Sequence, residues 1–184
     1  MSISKDFRDQ ALAAIPSLRA FGLSLTARAD RADDLVQETL MKAWKHHDSF
    51  EPGSNMKAWL YTILRNEFYS QLRKRKREVE DADGLYSSKV AMQGEQEGHL
   101  DMADLRVALG KLPEDQREAL MLVGASGFSY EEAAAICKVA VGTIKSRVNR
   151  GRAKLVELLD MGGDQKFGPD SSTEAVLNNS SGTR

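Results

Sequence analysis

The chain has 184 residues, which is enough for one ordinary domain or two small ones. Hydrophobic residues make up 41% and charged residues 29%, and no apolar run approaches the roughly 20 residues that span a bilayer. The single cysteine, Cys137, excludes an intramolecular disulfide, and the polar first residues lack the layout of a signal peptide. These features predict a cytoplasmic protein without membrane contact.

Charge is segregated along the chain, although its formal net value is only −1. Residues 65–77 contain six basic residues and one acid, and residues 143–154 contain five basic residues and no acid. Between them, residues 78–104 contain eight acids and one lysine. Two basic segments joined by an acidic one indicate two separate phosphate-binding surfaces, although a charge run taken alone is as often a solvated helix face.

Apolar residues recur at three- and four-residue steps through most of the chain, which predicts an all-α fold of two small helical domains. Residues 5–15 predict a first helix, and Pro16 suits the first turn of a second helix. Asp30 is predicted to cap a third helix, in which Leu35 and Trp44 belong to one buried stripe.

A long helix with aromatic and basic residues follows the loop 49–55, which contains proline and glycine. Trp59 and Phe68 share the apolar stripe of this helix and are predicted to be core residues. Tyr61 and Tyr69 lie off the stripe and are predicted to be freer to contact a partner. Aromatic rings on which bases stack, next to cations that follow the backbone, suit single-stranded nucleic acid, and the loop before them offers a place for an extruded base.

The apolar pattern fades over residues 79–100, which predict a flexible or partly helical acidic linker, and residues 161–184 predict a disordered tail rich in Gly, Ser and Asn. The predicted domains are therefore residues 1–78 and residues 101–160, joined by a flexible linker. Within the second domain, Pro113 is predicted to start a helix that continues through Val123.

Residues 128–155 have the layout of a helix-turn-helix. Ser129 and Glu132 form a capping box at the start of a short helix, residues 137–141 suit a tight turn, and a second helix opens at Gly142 or Thr143. The apolar residues predicted to point inward from the second helix are Ile144, Val148 and Leu155.

The outer face of this second helix is suited to the major groove, because Lys and Arg donate to guanine and Asn pairs with adenine. A helical hairpin with a basic exterior and no DNA function is the alternative interpretation. The residues predicted to face base edges or flanks are Lys145, Ser146, Asn149 and Arg150. The residues predicted to neutralise phosphates are Arg147, Arg152 and Lys154.

Three stretches of the chain resemble the extracytoplasmic-function (ECF) sigma factors of the sigma-70 family. Region 2.2 of that family, which docks on the clamp helices of the polymerase beta-prime subunit, resembles RADDLVQETLMKAW at 31–44. Regions 2.3 and 2.4, which melt and read the minus-10 promoter element, resemble NMKAWLYTILRNEFYSQLRKRKRE at 55–78. Region 4, which reads the minus-35 element, resembles the stretch at 112–155 that begins LPEDQREALMLVGASGFSYEEAAAIC.

The resemblance implies three sets of site residues in a non-enzymatic protein without cofactor or metal. The residues expected to bind core polymerase are Asp33, Asp34, Gln37, Glu38 and Lys42. The residues expected to bind the minus-10 element are Ser49, Phe50, Asn55, Tyr61, Arg65, Asn66, Arg73, Lys74, Arg75 and Arg77. The residues expected to bind the minus-35 element are Thr143, Lys145, Ser146, Arg147, Asn149, Arg150 and Arg152.

The amino-acid sequence of the last stretch resembles that of one subgroup in particular, the EcfG-type sigma factors of the alphaproteobacterial general stress response. This resemblance implies a small anti-sigma factor of the NepR type, a PhyR-type regulator that releases it, and promoters with GGAAC-like minus-35 and GTT-like minus-10 elements. It also implies contacts with the polymerase beta flap, a free monomer and an acidic linker that threads the polymerase. Gly151 stands where the family usually has alanine and is predicted to loosen the helix end, at a cost of about 1 kcal/mol.

Two kinds of alternative function are weighed against this expectation. One is another helix-turn-helix regulator, or a sigma-like decoy domain of a PhyR-type protein, but residues 5–77 look like a second DNA- and polymerase-binding module. The other is a small nucleic-acid-processing enzyme, for which the three histidines and Cys137 do not make a ligand set. In such an enzyme, the remaining candidate ligands for Mg²⁺ would be the carboxylates on one exposed helix face.

Overall fold

The computed structural model describes residues 4–81 and 100–159, with side chains over 4–77 and 104–159. Most of the predicted acidic linker and the predicted tail lie outside the described residues. The all-α prediction is confirmed in the described part of the chain. Its helices are α1 (Lys5–Ala13), α2 (Ile15–Thr26), α3 (Ala29–Lys45), a 3₁₀ turn (His47–Ser49), α4 (Met56–Asp81), α5 (Leu100–Gly110), α6 (Glu114–Leu120), a π-helical turn (Met121–Ala125), α7 (Tyr130–Cys137) and α8 (Val141–Leu158).

Helices α1 to α4 form the N-terminal domain, in which α3 packs between α2 and α4. The centre of its core consists of side chains with no more than 1% exposure, namely Leu18, Phe21, Leu35, Leu60 and Leu64. Phe68 is buried as predicted, whereas Trp44, predicted to lie in the buried stripe of α3, is 38% exposed. One side of the Trp44 ring still packs edge-on against Phe7, with the ring centroids 5.9 Å apart.

The start of α3 differs from the prediction. Arg28, in extended conformation, occupies the N-cap position without a side-chain cap, and Asp30 lies in the first turn. The Asp30 carboxylate pairs with the Arg28 guanidinium at 2.6 Å. Ala27, just before Arg28, has a left-handed backbone with φ of 56°, which ends α2, and α3 is capped two residues earlier than the sequence pattern predicts.

Helices α5 to α8 form the C-terminal domain, in which α8 packs against α6 and α7. The predicted single helix through Val123 changes its hydrogen bonding after Leu120, where a π-helical turn begins. In that turn the Ser126 amide donates to the Met121 carbonyl at 2.8 Å. A π-helical turn is wider than an α-helical one, and here it leads into the loop that carries Ser126 and Phe128.

The two domains share one continuous core. Tyr61 of α4 is fully buried, with its ring stacked on Phe21 at 4.8 Å and edge-on to Phe128 of the C-terminal domain at 4.9 Å. The prediction that Tyr61 is free to contact a partner outside the fold is therefore wrong for this arrangement. Helical periodicity placed Tyr61 off the N-terminal stripe, but its ring packs on Phe21 of α2 and its hydroxyl donates to the Ser17 carbonyl at 3.0 Å, while Phe128 of the other domain covers its remaining side.

Gly151 lies at the crossing of α6 and α8 and is buried. A Cβ atom there would come within 2.7 Å of Leu120 Cδ1 and 3.4 Å of Gln116 Cβ. Helix α8 continues unbroken to Leu158, so the prediction that Gly151 loosens the helix end is wrong. The missing side chain instead allows the two helices to approach closely.

We expect Gly151→Leu to lower the free energy of unfolding by about 2–3 kcal/mol, because the larger side chain must displace Leu120 and separate α6 from α8. Denaturant titration followed by circular dichroism measures this loss. Ala153→Leu is the matched control, since Ala153 is exposed on the same helix and should change stability by less than about 0.5 kcal/mol. Equal losses in both variants would contradict the close crossing.

Candidate nucleic-acid and protein interfaces

The C-terminal domain contains the predicted helix-turn-helix. The capping box is confirmed, because the Glu132 amide donates to Ser129 Oγ at 3.1 Å and the Ser129 amide donates to Glu132 Oε2 at 2.9 Å. Lys138 ends α7 in the left-handed conformation and turns the chain into α8, which begins at Val141, slightly before the predicted position. Ile144 and Val148 are fully buried, as predicted, and they fix which face of α8 points to solvent.

The outer face of α8 carries the predicted minus-35 residues. Ser146, Asn149 and Arg150 are exposed, while Thr143 and Arg152 are half-buried. Lys145 is half-buried too, and its ammonium lies 5.7 Å from the centre of the Tyr130 ring, a cation–π contact between α8 and the first turn of α7. The geometry therefore presents short polar and cationic groups together on one convex surface.

Arg147 differs from its neighbours on α8. Its guanidinium pairs with the Asp115 carboxylate of α6, with Nε and Oδ2 3.1 Å apart, and only 20% of the side chain is exposed. The sequence predicts a phosphate contact for this residue, and that role stays a prediction. In this structure Arg147 links α8 to α6.

A cavity of about 430 Å³ lies between α3, the 3₁₀ turn and α4. Of the predicted minus-10 residues, Ser49, Asn66 and Arg73 line it together. The sequence interpretation did not assign the other lining residues to the minus-10 element. Those on α4 share one face with Asn66 and Arg73, and a helical wheel would have shown this from the spacing 59, 63, 66, 70 and 73. These other residues are Lys42, His46, Trp59, Ile63, Glu67 and Ser70.

The remaining predicted minus-10 residues are not all placed at this cavity. Phe50 is half-buried and packs on Trp59, with ring centroids 5.3 Å apart, so it supports the cavity wall. Asn55 caps α4 by accepting from the Ala58 amide at 3.1 Å, and its Nδ2 donates to Glu132 at 2.8 Å. Further residues on or near the exposed end of α4 are Lys74, Arg75 and Arg77, of which Arg75 is half-buried.

Besides Asn55, two further predicted minus-10 residues, Tyr61 and Arg65, contact the C-terminal domain. The Arg65 guanidinium donates to both oxygens of Glu118, at 2.7 and 3.2 Å. Burial lowers the pKa of Arg65, but the hydrogen bond and charge of Glu118 outweigh this effect and raise it. Both residues are thus engaged inside the protein in this arrangement, and their predicted DNA contacts stay predictions.

The predicted polymerase-binding residues lie along α3 at an open groove of about 540 Å³ between α3 and α4. Asp34, Gln37 and Glu38 line the groove, whereas Asp33 pairs with Arg19 of α2 on another side of the helix. The sequence interpretation missed Met41, which is 61% exposed and also lines the groove. An exposed methionine beside carboxylates is a surface suited to another protein.

Lys42 and Glu67 tie α3 to α4 beneath this groove. The Lys42 ammonium bonds to Glu67, and Gln71 donates to the same carboxylate at 2.8 Å. Burial raises the pKa of Glu67, but the hydrogen bonds from Lys42 and Gln71 outweigh burial and hold it below its ordinary value. The pair is therefore stabilising while Glu67 is ionised.

We expect Lys42→Met to lower the free energy of unfolding by about 1 kcal/mol near pH 7, a modest value because Lys42 is partly exposed to solvent. Because the folded state lowers the pKa of Glu67, this stabilisation is present above the unfolded pKa, about 4.3, and is lost as pH falls through the folded value. Denaturant titrations from pH 7 to pH 3 measure it, with exposed Lys45→Met as control. A difference between wild type and variant that grows toward acid would contradict the assignment.

The described residues were also searched for a metal site and for a membrane-spanning helix. No group of three or more His, Cys, Asp or Glu side chains over 4–77 and 104–159 is arranged to hold a metal ion. Within the described helices, none is both long and apolar enough to cross a membrane.

An exposed helix-turn-helix face and a basic helix beside a cavity are the features of a DNA-binding factor. The sigma-70 region 2 family profile matches residues 13–78, and the sigma-70 region 4 profile matches residues 102–155. The chain is 62% identical over 177 residues to the ECF RNA polymerase sigma factor EcfG of Rhodopseudomonas palustris (strain TIE-1), covering 96% of this chain and 98% of the relative. The chain belongs to the extracytoplasmic-function sigma factors of the sigma-70 family, which are non-enzymatic transcription initiation factors.

Solved structures similar to this chain include two sigma factors in complex with partner proteins. The sigma factor RpoE of Bartonella quintana, in complex with the anti-sigma factor NepR, is 60% identical with a TM-score of 0.79, over 87% of this chain and all of that one. CnrH in complex with the cytosolic domain of CnrY is 28% identical with a TM-score of 0.62, over 85% of this chain and 89% of that one. The family membership decides against the enzyme considered from the sequence.

Proposed function

We propose that this sigma factor acts in the cytoplasm, where it binds core RNA polymerase, reads the minus-35 and minus-10 promoter elements with its two domains and melts the DNA between them. The observation that carries the proposal is the exposed polar face of α8 on a capped helix-turn-helix, with Ser146, Asn149 and Arg150 open to solvent. The resemblance to EcfG-type factors points to general stress response genes as its targets.

At the minus-35 element, α8 enters the major groove. Lys145, Ser146, Asn149 and Arg150 reach base edges, and Arg150 has the bidentate donors that suit guanine O6 and N7. Thr143, Arg147 and Arg152 lie toward the flanks of this face, where phosphates run. Arg147 must exchange its carboxylate partner Asp115 for a phosphate, so its contribution to affinity is smaller than that of Arg152.

We expect Arg150→Ala to weaken binding to a GGAAC-type minus-35 duplex by about 1–3 kcal/mol and to relax preference at one position. Arg152→Ala should instead weaken binding evenly across sequences and reduce its salt dependence. Competition assays with single-base variants of the duplex at two salt concentrations separate these effects. Equal losses for both variants on every duplex would contradict the division between base and phosphate contacts.

At the minus-10 element, the cavity beside α4 holds a base extruded from the non-template strand. Ser49 and Asn66 supply a hydroxyl and an amide for base edges, Trp59 forms an apolar wall, and Phe50 keeps that wall in place. A volume of about 430 Å³ is sufficient for one base. Arg73 at the rim continues toward the exposed cationic end of α4, along which the DNA backbone runs; that end carries Lys74, Arg75 and Arg77.

Core polymerase docks on the groove between α3 and α4. Asp34, Gln37 and Glu38 offer acceptors to a basic partner surface, and Met41 offers an adaptable apolar contact. Asp33 and Lys42 stand at the edges of this surface, each with an ion-pair partner inside the protein. The beta-prime clamp helices are the polymerase element that the family resemblance assigns to this surface, and the beta flap is the one assigned to the C-terminal domain.

Run-off transcription with core polymerase and a promoter carrying GGAAC and GTT elements tests the function as a whole. We expect full-length product with the wild-type chain and at least about tenfold less with Asp34→Arg, because a cation would then face the basic partner surface. Asp9→Arg, the same change on the exposed face of α1, is the control and should retain wild-type yield. Absence of product with the wild-type chain would refute the proposed function.

We also propose control by a small anti-sigma factor of the NepR type, released by a PhyR-type regulator. Support comes from the complex of the 60% identical RpoE of Bartonella quintana with NepR. Co-purification of the full chain with a NepR-type protein, and loss of run-off product when that protein is added, are the outcomes that we expect.

A further inference from the structure

The cations on the outer side of α8 differ in the partners that they have inside the protein. Among the described residues, neither Arg150 nor Arg152 meets a carboxylate. Lys154 pairs with Glu157 on the same helix at 2.6 Å, but at least half of each side chain is exposed to solvent. Arg147 is different, because its carboxylate partner belongs to another helix and the arginine side chain is mostly covered.

The partner of Arg147 is Asp115, which the start of α6 places beside α8. Asp115 lies in the first turn of α6, where the helix dipole and the unpaired amide groups favour a negative charge. Asp115 Oδ2 lies 3.1 Å from Arg147 Nε, and the Asp115 side chain is 46% exposed whereas that of Arg147 is 20% exposed. Solvent therefore reaches the carboxylate more freely than the guanidinium that it holds.

An ion pair with this exposure can be exchanged, but it still competes with an incoming anion. Water and salt screen a partly exposed pair, so that it changes an equilibrium by about fivefold at most. While the pair is intact, Arg147 and Asp115 together offer DNA no net charge. A phosphate can bind Arg147 only by displacing the Asp115 carboxylate, and that displacement costs part of the binding free energy.

We propose that Asp115 competes with a DNA phosphate for Arg147 and thereby limits the affinity of the C-terminal domain for every minus-35 sequence. Asp115 is a positioning residue, since it acts through Arg147 and does not touch the DNA. Discrimination between bases is left to Lys145, Asn149 and Arg150, because a phosphate contact carries no sequence information. This inference rests on the proposed function, in which α8 lies in the major groove.

Removal of the carboxylate charge tests the competition. Asp115→Asn keeps the shape of the side chain and an oxygen that can accept from Arg147, but it removes the negative charge. In competition assays with the full chain, we expect this variant to bind a GGAAC-type minus-35 duplex about two- to fivefold more tightly than wild type. The same factor should apply to duplexes with single base changes, and it should shrink as the ionic strength is raised above about 0.1 M, because salt screens the pair.

Further variants show whether the gain in affinity depends on Arg147. The double variant Asp115→Asn with Arg147→Ala should lose the gain, because no guanidinium remains for the phosphate. Asp9→Asn makes the same change of net charge on the exposed face of α1 and should bind the duplex as wild type does. Circular dichroism checks that each variant is folded, and Asp115→Ser is a second neutral variant should Asp115→Asn fail to fold.

The outcomes separate this inference from the proposed function. If the neutral variants at Asp115 bind every duplex as wild type does, the carboxylate does not compete with DNA and the inference is refuted. If the gain persists in the double variant, Asp115 only repels DNA, and the competition for Arg147 is equally refuted. In both cases a wild type that prefers the GGAAC-type duplex leaves the proposed function standing, whereas a wild type without that preference refutes the function and the inference with it.

Discussion

The arrangement of the two domains depends on the need of one buried carboxylate for a cation. Glu118 is almost completely shielded from water, and Arg65 on α4 meets it with two hydrogen bonds. Burial of an ion pair adds little net stability, because desolvation offsets much of the attraction, but it penalises every arrangement that leaves either charge alone. The pair therefore fixes how the domains dock more strongly than it stabilises the fold. Burial, together with the charge of Glu118, raises the pKa of the neighbouring Cys137 thiol to about 12.

Helix α4 combines several tasks because its faces point in different directions. Leu60 and Leu64 complete the N-terminal core, Asn66 and Arg73 line the cavity proposed for a base, and Tyr61 and Arg65 meet the C-terminal domain. Residues three or four positions apart share a face, so one regular helix can carry these sets without mixing them. This explains why a stretch so rich in aromatic and basic residues is also a regular helix over its described length.

In the C-terminal domain, the exposed face of α8 that is proposed to read DNA is distinct from the surface that packs against the N-terminal domain. Helix α8 is oriented from behind by Ile144 and Val148 and by the close crossing at Gly151. Contact with the N-terminal domain instead uses α6, α7, the π-helical turn and the Phe128 loop. Asn149 and Arg150 remain exposed while these contacts are made.

The sequence by itself determined the helices, the capping box at Ser129 and the inward residues of α8, because periodicity and caps are local properties of the chain. Motif resemblance added the family, which the comparisons confirmed. Only the tertiary structure decided the surroundings of Tyr61, Arg65 and Gly151, and the pairing of Arg147 with Asp115. The physical reason is that burial and ion pairing depend on elements tens of residues away, and the spacing of residues along one helix shows which of them share a face but not what covers it.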